Sequence, residues 1–152
     1  MALALTPFQA LCGFRPLPAI AAFLASTPEF AALVPGAAQD ALRAAAAGPA
    51  AKQALRDVFA AVMTAEPALF QPALARLVAR YKAGDVRPEE EPVKELVVTL
   101  DSQFPGDIGV FCAFMLNHMT LKPGEAIFLA AGEPHAYVSG GAFSSFGMLS
   151  EY

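Results

Sequence analysis

The sequence has few positive charges, few cysteines and no uninterrupted hydrophobic run of membrane length. Its ten Lys and Arg residues, against fourteen Asp and Glu, form no basic stripe, which argues against a nucleic-acid partner. Hydrophobic residues make up 56% of the chain. However, proline or a charge interrupts every apolar run before the roughly 18 to 20 residues that a membrane span needs. No basic region precedes the apolar N-terminus, as it would in a secretory signal. We therefore predict a cytoplasmic protein that makes no membrane contact.

The two cysteines are far apart in the sequence. Cys12 and Cys112 each stand among apolar neighbours and match neither a paired metal motif nor a disulfide-rich scaffold. We predict that both are buried free thiols.

Helical spacing dominates the first two thirds of the chain. Apolar residues recur every three or four positions between breaks at Pro and Gly. This spacing predicts helices over about 16–26, 51–64, 68–83 and 93–104, and the high helix propensity of alanine predicts another over 37–47. The charged, proline-bounded segment 87–91 precedes the helix at 93–104. We interpret its run Glu89, Glu90, Glu91 as a solvated face at the positive pole of that helix, with a metal or basic-partner role as the alternative.

Short strands and turns are predicted beyond about residue 105. The turn Lys122-Pro123-Gly124-Glu125 predicts a β-hairpin, because proline enters it and glycine supplies a positive φ. Segments read as strands are the apolar run 110–116 with its continuation 118–121, the return strand 126–131, and 135–139 after the turn 132–134. An antiparallel sheet or barrel is the expected arrangement.

Few side chains point to chemistry by their spacing alone. His135 follows Pro134 at a strand entrance, and Tyr137, two positions on, faces the same side. A metal ligand and a hydrogen-bonded structural histidine are both open for His135. His118 has the same ambiguity, and we interpret it as structural. The sequence contains no Gly-rich phosphate loop, no nucleophile elbow and no pair of metal-spaced histidines.

Three strings in the sequence resemble one enzyme family. They are ALTPFQALCGFRP at 4–16, FPGDIG at 104–109 running on to LNH at 116–118, and LKPGEAIFL at 121–129 followed by EPHAY at 133–137 and SG at 139–140. In this order, with a helix-rich span between them, they are similar to the zinc-dependent mannose-6-phosphate isomerases. The resemblance covers about residues 1–140.

The resemblance implies an α+β fold, with an all-helical insert domain followed by an incomplete cupin-type antiparallel β-barrel. The implied divisions are a strand remnant at 1–15, a helical domain at 16–104, partial cupin strands at 105–140 and a non-family tail at 141–152. In such enzymes a glutamine, a histidine and a glutamate from earlier strands hold zinc with the histidine of the Pro-His-Ala-Tyr string, which is His135 here. Tyr137 matches a pocket residue that could contact the sugar phosphate substrate, although a tyrosine packed in the barrel is the alternative.

The family's reaction, which belongs to carbohydrate metabolism and supplies GDP-mannose biosynthesis, interconverts mannose 6-phosphate and fructose 6-phosphate through an enediol.

The present sequence departs from the family pattern in two places. It lacks the other three zinc ligands, and after Gly140 the family's acidic residue, its Glu-Cys-Met segment and a later catalytic arginine are not matched. A frameshift near Gly140 or a mis-called gene boundary would explain the second departure.

We therefore expect this chain alone to bind zinc weakly, to be inactive, and to self-associate through exposed strand edges. No catalytic residue is assigned within it. The alternative hypothesis is a small helical protein-interaction module derived from the enzyme.

Overall fold

Two units divide the chain. The computed structural model describes residues 2–45, 47–128, 132–139 and 142–144. The strand unit comprises Met1–Phe14 and Leu116–Tyr152, and the helical unit comprises Arg15–Met115. The α+β class predicted from the sequence is confirmed, with helices and antiparallel strands in separate units.

The helical unit contains six α-helices and two 3-10 helices among the described residues. The α-helices are α1 (Leu17–Ser26), α2 (Pro28–Ala31), α3 (Gly36–Ala44), α4 (Gly48–Met63), α5 (Pro67–Lys82) and α6 (Glu91–Gln103), and the 3-10 helices are Pro88–Glu90 and Ile108–Phe114. Four of the α-helices lie where apolar spacing predicts them, and α3 lies where the alanine-rich stretch predicts it. The remaining helix, α2, was not predicted, because prolines were interpreted as breaks between helices. Pro28 instead opens a new helix, since proline is tolerated in a first helical turn.

In the described part of the chain, no single helix is both long and apolar enough to cross a membrane. The pair α4 and α5 would meet that length and composition together, but the chain bends by 91° between them.

The apolar run predicted as a strand near 110–116 folds mostly as a helix. Residues Ile108–Phe114 form a 3-10 helix, and Asp107 begins it by accepting a 2.6 Å hydrogen bond from the Gly109 amide. Five consecutive residues of this segment, 110–114, are buried. The strand prediction was wrong because a run that is buried on every side carries no period by which a strand and a helix can be told apart.

Aromatic side chains of this 3-10 helix form the centre of the helical unit's core. The ring of Phe114 stacks on Phe30 with centroids 5.1 Å apart, and it meets Phe23 edge-on at 5.4 Å. Phe111 lies 6.5 Å from Phe30, also stacked. Such pairs add to the free energy gained by burying their apolar area.

The two ends of the helical unit are neighbours. The Arg15 amide donates to the Met115 carbonyl at 2.9 Å, and Arg15 Nε donates to the Ala113 carbonyl at 3.2 Å. Residues 15 and 115 directly follow and precede two paired strands. The helical unit is therefore an insertion between adjacent strands of one sheet.

Glu90 is buried and not solvated. It has no exposed surface, whereas Glu89 and Glu91 are exposed. Its carboxylate accepts hydrogen bonds from the Thr27 hydroxyl at 2.8 Å, from two nitrogens of Arg80 at 2.6 and 2.8 Å, and from the Arg87 amide at 2.9 Å. The interpretation of 89–91 as a solvated face is thus wrong for Glu90, because a carboxylate with this many donors can be buried.

Arg80 connects Glu90 to α2. Its Nε and one terminal nitrogen donate to the two oxygens of Glu29 at 3.0 Å each, and its other terminal nitrogen also donates to the Asp85 carbonyl at 3.0 Å. With the two bonds to Glu90, this uses the full donor set of a guanidinium. A lysine could not reproduce this pattern, because its ammonium lacks the planar fork.

The charges of this cluster shift each other's titration. Burial by itself raises the pKa of Glu90, but the hydrogen bonds from Arg80, the Arg87 amide and Thr27 outweigh it and lower the pKa to about 2. Hydrogen bonds to Glu90 and Glu29 raise the pKa of Arg80. Glu90 and Arg80 are therefore both ionised at neutral pH.

Tyr81 borders the same cluster, where burial and the negative charge of Glu90 raise the pKa of its hydroxyl. Its hydroxyl is buried and makes no hydrogen bond with any residue that the structure describes. We expect Tyr81→Phe to change the free energy of unfolding by less than about 1 kcal/mol, because the hydroxyl contributes no bond that would be lost. Urea unfolding followed by circular dichroism measures this. A loss of several kcal/mol would mean that the hydroxyl is bonded after all.

Among its described residues, the strand unit contains two small antiparallel sheets. Its strands are β1 (Ala2–Ala4), β2 (Phe8–Phe14), β3 (Leu116–Leu121), β4 (Ala126–Ile127), β5 (His135–Ser139) and β6 (Ala142–Ser144). One sheet has the order β4-β1-β6 and the other β3-β2-β5. A small apolar cluster of Ala4, Phe8, Ala10 and Leu121, with Ile127 against it, belongs to this unit.

The predicted turn at 122–125 is present, but the predicted hairpin is not. Gly124 has a φ of 88°, and the Glu125 amide donates to the Lys122 carbonyl at 3.0 Å. However, β3 pairs with β2, whereas β4 pairs with β1. The turn thus carries the chain from one sheet to the other. Local turn chemistry does not determine which strand becomes the partner. Residues 129–131 of the predicted return strand lie outside the described residues.

Candidate functional site

Strand β2 is the centre of the sheet that carries His135. It pairs with β3 on one side and β5 on the other, and the register sets Cys12 opposite His135 and Ala10 opposite Tyr137. Directly opposed residues of antiparallel strands point to the same face. Cys12, His135, Ala10 and Tyr137 therefore share one face of this sheet.

His135 is held at the start of β5 with one ring nitrogen bonded. The Gly13 amide donates to the Pro134 carbonyl at 3.0 Å, which fixes the strand entrance against β2. His135 Nδ1 lies 3.1 Å from the Glu133 carbonyl oxygen. Because a carbonyl can only accept, Nδ1 carries the proton of the neutral ring and Nε2 carries the lone pair. The residue is exposed.

Tyr137 stands beside His135 on this face. Their ring centroids are 6.2 Å apart, and the Tyr137 ring also packs at a tilt on Phe8 with centroids 5.2 Å apart. The side chain nevertheless remains 47% exposed. Tyr137 thus combines a packing contact with a surface that is open to other molecules.

The two histidines point to opposite faces of the sheet. His118 lies opposite Leu11, and His135 lies opposite the next residue of β2, Cys12. Successive residues of a strand alternate in direction, so the two imidazoles cannot meet. His118 Nε2 lies 3.1 Å from Gln9 Oε1.

The cross-strand position of Cys12 was not apparent from the sequence. Spacing gave it only apolar neighbours, and the register of β2 with β5 is what sets it opposite His135. Burial raises the pKa of the Cys12 thiol, and the negative charge of Glu133 raises it further. Burial also raises the pKa of Cys112, to about 11. Both cysteines are buried and free, as predicted.

The described residues do not form a metal-binding site around His135. No group of three or more His, Cys, Asp or Glu is placed there to hold an ion. The residues of the predicted tail, 141–152, are described only as backbone over Ala142–Ser144, which pairs with β1.

A helical insertion domain that matches this part of the chain is known from an enzyme family. The chain belongs to the type I phosphomannose isomerases, whose helical insertion domain matches residues 33–116. The mannose-6-phosphate isomerase of Ogataea parapolymorpha is 44% identical over 147 residues, covering 92% of this chain and 34% of the relative. The human mannose-6-phosphate isomerase is 42% identical over 144 residues, with the same coverage.

Solved structures of mannose 6-phosphate isomerases also match this chain. A zinc-bound mannose 6-phosphate isomerase matches with a TM-score of 0.69 and 30% identity over 93% of this chain and 32% of its own. The apo form from Salmonella typhimurium matches with a TM-score of 0.70 and the same identity, over 33% of its own chain. The chain thus spans about a third of the length of the relatives it matches. The family predicted from the three sequence strings is confirmed.

Proposed function

We propose that this chain is the helical insertion and adjoining strand segment of a zinc-dependent isomerase acting on mannose 6-phosphate. Within that enzyme, His135 would be one of four zinc ligands and Tyr137 a contact of the sugar phosphate. The relatives named above are mannose-6-phosphate isomerases, and one solved relative contains zinc.

The hydrogen bond from His135 Nδ1 to the Glu133 carbonyl is the observation that carries the proposal. Metal-binding histidines commonly donate their second ring N–H to a carbonyl or carboxylate, which fixes the tautomer and the orientation of the ring. His135 has this arrangement, and its Nε2 lone pair is free to bind a metal.

The other three ligands are not matched in these 152 residues. The resemblance assigns zinc a glutamine, a histidine and a glutamate besides His135, and none of them has a counterpart here. When bound, zinc would act as a Lewis acid on the substrate oxygens. This chain would contribute the orientation of one ligand and, through Tyr137, one wall of the pocket.

We expect the isolated chain to bind less than one zinc after dialysis and to show no turnover of mannose 6-phosphate. A single imidazole leaves the ion exposed to water, whereas stable zinc sites use three or four protein ligands. Atomic absorption and a coupled assay for fructose 6-phosphate measure both quantities. One zinc per chain that is lost in His135→Ala, or turnover by the purified chain, would contradict the expectation.

A further inference from the structure

Two distant segments of the helical unit are joined through Glu90. The corner is defined as residues 26–28, where α1 ends and α2 begins, and the linker as residues 83–90, between α5 and α6. The Thr27 hydroxyl in the corner donates to Glu90 in the linker, 63 positions away, at 2.8 Å. The guanidinium of Arg87, also in the linker, donates to the carbonyl of Ser26 in the corner.

Apolar burial contributes little to holding the linker. Residues 82–85 and 87–89 are exposed and Val86 is only partly buried, so Glu90 is the one linker residue that is fully buried. The aromatic core around Phe30 and Phe114 involves neither Glu90 nor its partners. Segments with few buried apolar contacts are those that open before the rest of a protein.

The contact between the corner and the linker depends on the carboxylate of Glu90, because both of its oxygens accept hydrogen bonds. Oε1 accepts from Thr27 and Arg80, and Oε2 accepts from Arg80 and the Arg87 amide. In a glutamine, one of these two positions becomes an NH2 group that can only donate. In either orientation of the glutamine amide, its NH2 group would therefore face two hydrogen-bond donors and accept from neither.

We propose that Glu90 holds the corner and the linker together as one unit that opens locally, so that both segments are released at the same time while the rest of the helical unit stays folded. We call the hydrogen bonds to Glu90 the latch. The latch is a conformational device of the helical unit and does not depend on zinc or on the proposed enzymatic function.

Native-state hydrogen exchange of the full chain tests this, with the Thr27 and Arg87 amides as reporters and the Val58 amide in α4 as the reference for global unfolding. In low denaturant, both reporters are expected to exchange through an opening with nearly the same free energy and little denaturant dependence. Glu90→Gln should accelerate both by the same factor, on the order of a hundredfold. Glu89→Gln, at an exposed position, should accelerate neither.

A milder variant covers the case in which Glu90→Gln does not fold. Thr27→Val keeps the shape of the side chain and removes one donor, and it should accelerate both reporters by a common factor, on the order of tenfold. The latch is overturned if the two reporters respond by different factors. It is equally overturned if they exchange only through the denaturant-dependent unfolding that exposes Val58.

Discussion

Replacing Glu90 by glutamine is expected to lower the free energy of unfolding by about 3 kcal/mol at neutral pH. Removing one partner of a buried, hydrogen-bonded ion pair typically costs about 3 to 5 kcal/mol, because the remaining charge loses its compensation. Arg80 keeps its bonds to Glu29 in the variant, which puts the expected loss at the lower end. Urea unfolding monitored by circular dichroism measures the change.

The loss should depend on pH in a defined direction. The pKa of Glu90 falls from 4.5 to about 2 on folding, so its contribution is fully present above about pH 4.5 and disappears as the pH falls toward 2. That shift corresponds to roughly 3 kcal/mol. The stability difference between the wild type and Glu90→Gln should therefore shrink across this window.

Glu89→Gln is the matched control for both measurements, since it removes the same charge from an exposed neighbour. It should leave the unfolding curve nearly unchanged at every pH. A Glu90→Gln variant as stable as the wild type at pH 7, or a difference that persists at pH 2, would show that the cluster does not stabilise the fold as described.

Local periodicity predicted α1, α4, α5 and α6 because each of them buries a stripe of residues that the sequence itself marks. The spacing of Val58 and Val62, for example, places both on the buried side of α4. The 3-10 helix at 108–114 has no such stripe, because Phe111, Cys112 and their neighbours are buried on all sides. Nothing in the local pattern favoured a helix over a strand there.

Burial of Glu90 and the pairing of β4 were hidden for a different reason. Both depend on residues far away in the sequence: Glu90 on Thr27, and β4 on β1 near the N-terminus. A charge run looks solvated until its partners are known, and a tight turn looks like a hairpin until the sheet is known.

The candidate site was predicted in part. The resemblance singled out His135 and Tyr137, and strand alternation predicted that they share a face, as they do within β5. The hydrogen bond to the Glu133 carbonyl and the position of Cys12 across from His135 came from the register with β2. The spacing of residues in the sequence does not determine the register between β2 and β5.

Substituting the matched part of this chain into a complete relative is expected to give an active enzyme that depends on His135. In the chimera, residues 4–140 replace the corresponding segment of the Ogataea parapolymorpha mannose-6-phosphate isomerase, with which this chain is 44% identical. His135→Ala should reduce turnover to the assay background and lower bound zinc well below one per chain, because the proposed zinc ligand is lost.

His118→Ala is the matched control, since it removes an imidazole from the opposite face of the same sheet. Turnover of mannose 6-phosphate by these two variants of the chimera is the most direct measurement of the role proposed for His135. We predict that the His118→Ala chimera remains active with its zinc bound, and that the His135→Ala chimera does not. An active, zinc-loaded His135→Ala chimera would contradict this account.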